Sequence, residues 1–219
     1  MMRRKNLERA IVLGLLLSTS VYGNAWADEY YKDGLDIKQE GNLVITKNAV
    51  ALGFNGKVEI VNGDLIITAN GGGSNGIEAG QVNDAVLSVS ANNINITSGN
   101  NGLITVTEGS NHADIILGSE DRKITGLTIN AGGQGIDNKN GNVYVYGADD
   151  SVINISSINT SGEMENQAAI NNNADKGTIT INGGSITLST MYGFGNGITN
   201  GVSIKEIGSM KKIDVYDST

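Results

Sequence analysis

The chain has 219 residues, 31 of them glycine, with no proline, no cysteine and 5% aromatics; 15 basic residues face 23 acidic ones, for a formal net charge of −8. Such a balance argues against nucleic acid as a partner, because phosphate binding needs clustered cations. The absence of cysteine excludes disulfides and cysteine-based metal or thiol chemistry. The 28 asparagines and a stock of Ile, Val and Leu predict a narrow core of medium-sized side chains.

Residues 1–27 read as a secretory signal peptide. Arg3, Arg4, Lys5 and Arg9 give a basic start, and "IVLGLLLSTSVYG" is an apolar run too short for a stable bilayer anchor. "AWA" at Ala25–Trp26–Ala27 then puts small residues at a peptidase site, so cleavage is expected between Ala27 and Asp28. Losing four basic residues and one acidic residue leaves 11 against 22, net −11, over residues 28–219. The expected location is secreted or at the cell surface, with 28–219 forming one domain.

Past the leader, short strands follow one another. They are "LVIT" (43–46), "KVEIV" (57–61), "DLIIT" (64–68), "AVLSV" (85–89), "NINIT" (93–97) and "LITVT" (103–107), then "ADIIL" (113–117), "LTIN" (127–130), "NVYVY" (142–146), "SVINI" (151–155), "TITIN" (178–182) and "SITLS" (185–189). β-branched residues alternate with polar ones, and Asn, Gly, Asp and Ser fill the gaps. No stretch beyond the leader carries a helical apolar period. Matches to the N-glycosylation pattern at Asn95, Asn154 and Asn159 are expected by chance in so Asn- and Ser-rich a chain.

A repeat underlies the strands. A small residue precedes an apolar one at Ile77, Leu103, Ile136, Ile170 and Ile198, at intervals of 26, 33, 34 and 28 residues. An interval near 30 residues that holds about three short strands is one circuit of a right-handed parallel β-helix (solenoid). Stacked circuits would share an aliphatic column, leave polar alternates in water, and let Asn ladders form at the corners. The competing architecture is an antiparallel sandwich. "GGQGIDNKNG" (132–141) has the glycines and Asp137 of a calcium β-roll, but Lys139 stands where that motif needs an inward apolar residue. It is read as a corner: Ile136 inward, with Asp137, Asn138 and Asn140 along the outer turn.

"NVYVY" puts Val143 and Val145 on one face and Tyr144 and Tyr146 on the other. With the valines inside, the tyrosines and the following Asp149 and Asp150 form a candidate ligand platform for sugar rings or a protein surface. The structural alternatives are tyrosines stacking on adjacent circuits and an acidic pair forming a turn. His112 is the single histidine and reads as a surface residue. No nucleophile elbow, phosphate loop or metal-ligand cluster is present in the sequence, so no catalytic, cofactor or metal residue is assigned.

The leader ending "AWA", the lack of cysteine, and Gly/Asn-rich repeats such as "GTITINGG" and "GSITLSTMYGFGNGI" together resemble the passenger region of bacterial autotransporters, the pertactin-like and diffuse-adherence adhesin-like surface proteins. The resemblance covers most of residues 28–219 and rests on style and periodicity. It implies a β-helix carried through the outer membrane, a non-catalytic adhesin role, and partners among host glycans or surface proteins. The chain ends at "KKIDVYDST" without strands of the translocator-barrel kind. The expectation is a passenger fragment, truncated at its C-terminus, whose translocator is supplied elsewhere or lost. Two alternatives stand beside it: a β-helix polysaccharide lyase or hydrolase, which needs acids and a basic residue converging on one sheet face, and a purely structural stalk fragment.

Overall fold

A computed structural model describes residues 30–106, 112–158, 168–172 and 177–190, and the backbone alone of 196–199 and 212–217. The signal-peptide reading of 1–27, with Ala27 and Asp28, lies outside the described residues, as does Asn159. The described residues are all-β, with no helix, and every strand pairing among them is parallel. This arrangement is consistent with a parallel solenoid, and it excludes the sandwich of facing hairpins.

Among the described residues, seventeen strands follow in chain order. The first nine are β1 (Tyr31–Glu40), β2 (Leu43–Lys47), β3 (Leu52–Val61), β4 (Leu65–Ala69), β5 (Ile77–Ala79), β6 (Ala85–Ser90), β7 (Asn93–Ser98), β8 (Leu103–Thr105) and β9 (Ala113–Leu117). The remainder are β10 (Ile124–Ala131), β11 (Ile136–Asn138), β12 (Gly141–Ser157), β13 (Ala168–Asn172), β14 (Ile179–Asn182), β15 (Ser185–Thr190), β16 (Asn196–Thr199) and β17 (Lys212–Asp217). Most strands expected from alternation are present, and "NVYVY" and "SVINI" fuse into β12. β1 and the short strands β5, β11, β13 and β16 fall in stretches that alternation does not mark.

Each strand pairs with others roughly one repeat away, and the partners stack in register. In one long ladder Ile37, Val58, Val89, Leu117, Val145 and Ile181 are successive partners. In the other, Ile45, Ile67, Ile96, Ile129, Ile155 and Leu188 are. A short ladder runs Leu52, Ile77, Leu103, Ile136, Ile170 and Ile198, so the five positions marked by the sequence repeat do form one column. All described inward residues of these columns join a single buried cluster, Ile37 at its half-buried margin. Fully burying each aliphatic side chain contributes about 1.5–3 kcal/mol, and this column replaces the disulfides the chain lacks.

The small residue ahead of each column position has a steric cause. A Cβ on Gly102 would lie 2.2 Å from the Ile129 Cγ2 methyl and 2.6 Å from the Gly135 carbonyl. Gly76 and Gly135 meet Ile96 and Ile155 in the same way. The short ladder therefore presses directly onto the Ile column of a long one. Ala51 and Ala169, both buried, are the equivalent residues at other levels.

Candidate functional site

Tyr144 and Tyr146 lie on the outward face of β12, half-buried, while Val143 and Val145 are fully buried behind them. Alternation on a one-sided strand dictates this orientation. Tyr144 sits between its register partners Ile116 and Thr180, and Tyr146 has Asn182 beside it on β14. The two rings thus share their wall with an isoleucine and with small polar side chains. Among the described residues neither tyrosine hydroxyl makes a hydrogen bond.

Asp149 and Asp150 are exposed and sit where β12 passes from one long ladder to the other. They lie inside β12, where the register against β10 jumps from Ile124–Gly147 to Gly126–Val152. The extra residues on β12 bulge outward and carry both carboxylates with them. A base does come close: Lys123 Nζ is 3.7 Å from Asp149 Oδ1, with the Asp149 side chain 64% exposed. No hydrogen bond joins either tyrosine to either aspartate among the described residues; the four platform residues share one strand.

A second feature of the same wall escaped sequence reasoning. Lys57 and Glu59 are alternate outward residues of β3, and Lys38 of β1 is the register partner of Glu59. Glu59 gathers three cations, Lys57 Nζ at 3.1 Å, Arg122 Nη1 at 3.4 Å and Lys38 Nζ at 3.5 Å. Its carboxyl is held below the ordinary range by the Lys57 hydrogen bond, with partial burial opposing and the Lys38 charge assisting. Arg122 arrives from the turn after β9; it donates to Ser90 Oγ at 3.3 Å and to the Ile60 carbonyl. The spacing of Lys57 and Glu59 was visible in the sequence, but nothing there linked Arg122 to residues some sixty positions earlier.

The corner reading of 132–141 needs correction. Ile136 points inward as expected, but Asp137 and Asn138 are themselves buried and do not line an outer turn. Asp137 Oδ1 accepts from Asn171 Nδ2 at 3.1 Å and Oδ2 accepts from Asn101 Nδ2 at 3.3 Å, with Lys139 Nζ at 3.6 Å. Asn138 accepts from Thr105 Oγ1 at 2.7 Å and donates to Asn172 Oδ1 at 2.8 Å. Glu78, one level beyond Ile104 in the same ladder, is buried and accepts from the Tyr31 hydroxyl at 2.6 Å and from Asn75 at 2.9 Å. Asn-based ladders are therefore present inside, and also at solvent-facing strand ends, where Asn42, Asp64, Asn93 and Thr125 are linked from level to level. Burial pushes the Asp137 carboxyl above its ordinary value of 3.8, with the Lys139 charge and the Asn171 hydrogen bond opposing. This spine is structural, since its polar atoms face one another.

His112 is half-exposed. Its Nε2 lies 2.8 Å from Asp114 Oδ1, which also accepts from the Asn142 backbone at 2.9 Å. The group clamps the start of β12, and among the described residues no nucleophile completes it. No set of three or more potential metal ligands converges among the described residues.

No family model, curated protein or solved structure matches the chain.

Proposed function

We propose that the chain is an exported, non-catalytic surface protein of the autotransporter-passenger kind, a right-handed parallel β-helix with about three short strands per circuit that binds its targets adhesin-like, through weak repeated contacts. The three ladders support three strands per circuit, and the strong general preference of parallel crossovers for one hand supports the handedness. The signal-peptide pattern of residues 1–27 supports export. The targets are host glycans or surface proteins.

The observation that carries the binding role is the unbroken register of the outward columns. Side chains at equivalent positions recur at roughly 4.8 Å per level. A target with its own repeat can then engage several levels at once, and linked weak contacts add up to useful avidity. Tyr144 and Tyr146 give this wall its aromatic surface, and Asp149 and Asp150 lie at its margin as hydrogen-bond acceptors for hydroxyls.

The test is replacement of both tyrosines by serine, Tyr144→Ser with Tyr146→Ser, followed by binding to a glycan array and to host-cell surfaces. Loss of binding with an unchanged melting temperature supports the platform; unchanged binding dismisses it. The Asp149–Lys123 pair is the one observation that favours the polysaccharide lyase or hydrolase reading. That reading requires release of new chain ends from an acidic polysaccharide, abolished in Asp149→Asn; the adhesin reading requires none.

A further inference from the structure

We infer that the outward face of the ladder β2–β4–β7–β10–β12–β15 is a binding face for a neutral, extended, β-linked polysaccharide laid along the stacking direction. This assignment, which rests on reading the chain as a glycan-binding solenoid, names the face and the class of ligand. Two columns of side chains make the face. Val44, Ile66, Asn95, Thr128, Asn154 and Thr187 are successive register partners; Thr46, Thr68, Thr97, Asn130, Ser156 and Ser189 stand two residues further along each strand. None of these residues carries a charge, on a chain whose formal net charge is −8. The other long wall differs, with Asp36, Lys38, Lys57, Glu59 and Asp114 at its outward positions.

The polar groups of this face are not used up by the fold. Among the described residues, the side chains of Thr46, Thr68, Thr97, Asn95, Thr128 and Asn154 make no hydrogen bond with the protein. Ser156 differs, donating to the Ile129 carbonyl and to Asn130 Oδ1, both at 2.9 Å. The flanking column differs more: the Asp64 carboxylate is tied to the Asn93 backbone N–H at 3.1 Å and to Asn93 Nδ2 at 2.8 Å. The free hydroxyls and amides of the two columns therefore meet water, which a ligand offering hydroxyls at the same step replaces. The uncharged run ends at β17, where Lys212 and Asp214 stand in register with Ser185 and Thr187. At the opposite end, the Lys47 ammonium lies over the Tyr30 ring, 5.5 Å from its centre.

Size and charge select the occupant. The levels from β2 to β15 span about 24 Å, and the two columns lie about 7 Å apart. Even with the flanking column added, the face stays well under the roughly 800 Å² that each partner buries in a standard protein interface. A folded protein, including a second copy of this chain, finds too little area here, whereas a single sugar chain is contacted along its length. Each sugar of an extended β-linked chain advances by about one level, so its hydroxyls meet Thr or Asn level after level and the weak contacts add up. Val44, 60% exposed, and Ile66 beside it supply an apolar patch for a ring face. An acidic glycan would bring its charge to two columns that hold no cation, bordered by Asp64 and Asp150 on an acidic chain.

The test measures binding of three neutral β-linked hexasaccharides, cellohexaose, mannohexaose and chitohexaose, to the full chain, with their disaccharides and polygalacturonate as comparisons. At least one hexasaccharide is expected to bind, roughly tenfold or more tighter than its disaccharide. Its affinity should hold between ~50 and ~200 mM salt, because no counterion is displaced. Thr128→Asp places a carboxylate in the middle of the face and should weaken binding roughly tenfold or more, with an unchanged melting temperature. Thr68→Val with Thr97→Val keeps the side-chain shape, removes two hydroxyls, and should weaken it about fivefold. Binding of none of the three hexasaccharides, wild-type affinity in either variant, or polygalacturonate binding as tightly as a hexasaccharide overturns the proposal. If hexasaccharide binding is lost in Tyr144→Ser with Tyr146→Ser and kept in Thr128→Asp, the glycan-binding reading stands and this face falls. If it is lost in Thr128→Asp and kept in the tyrosine variant, this face stands and the tyrosine platform falls. If no hexasaccharide binds while the wild type still binds host-cell surfaces, the adhesin reading stands and this ligand class falls.

Discussion

Along β7 and β15, buried Ile and Leu alternate with Asn, Thr and Ser that reach solvent, whereas β5, β8 and β11 are buried at every residue. The long ladders have one face in the core and one in water, so their outward positions accept any small polar side chain. The short ladder has no wet face. Its second column, Glu78, Ile104, Asp137 and Asn171, must either be apolar or find hydrogen bonds from the levels above and below. The same stacking therefore leaves the long walls free for binding and commits the short one to holding the levels together.

The sharpest way to break this contrast is to place a charge on the outward position of each kind of ladder. Ile104→Asp puts a carboxylate between Glu78 and Asp137, at a site 3% exposed, and should cost more than about 4 kcal/mol, enough to prevent folding in urea titrations at modest denaturant. Gly102→Ala tests how closely the short ladder presses on the long one. Its new methyl meets Ile129 at 2.2 Å, and the loss should be about 1–3 kcal/mol. A normal stability there would mean that the two ladders have room to part.

Asp137 gives a smaller effect with a defined pH signature. Its folded carboxyl titrates above the ordinary value of 3.8 because burial disfavours the charge. Below 3.8 the group is protonated in both states and contributes no penalty. As pH rises from 3.8 through the higher folded value, the unfolded state ionises first, so stability declines across that window. The difference in melting temperature between the wild type and Asp137→Asn should shift in favour of the variant over this range; a pH-independent difference would contradict the burial argument. Glu59 runs oppositely: its lowered carboxyl contributes stability above its ordinary value of 4.5 that fades as pH falls through the folded value. The smallest effect belongs to Thr128→Asp, on the outward face of β10, expected within about 0.5 kcal/mol of wild type.

Those same two environments explain what could be read from the sequence. Alternation reports one-sided burial, so "NINIT", "SITLS" and "NVYVY" announced strands and the face of each residue, including the inward valines and outward tyrosines of β12. The short ladder was legible only through its Gly–Ile repeat, because Gly76, Gly102 and Gly135 must be small where Ile96, Ile129 and Ile155 approach. Its polar column was not legible. Asp137 and Asn138 look like surface turn residues until Asn101, Asn171 and Asn172, some 34–36 positions away, are placed beside them. The cationic cluster was hidden for the same reason, since Arg122 and Lys38 meet at Glu59 only through stacking. β1 was missed because only Leu35 and Ile37 carry its alternation, amid otherwise polar residues.

Register between levels is the claim on which all of this depends, and the cysteine-free chain allows it to be measured directly. Thr68→Cys with Thr97→Cys places thiols on outward register partners of β4 and β7, about 4.8 Å apart between Cα atoms and within disulfide reach. Thr68→Cys with Asn95→Cys is displaced by two residues along the strand, beyond that reach. Rapid oxidation of the first pair and negligible oxidation of the second is the predicted result; equal rates, or a faster second pair, would show that the levels do not stack as described.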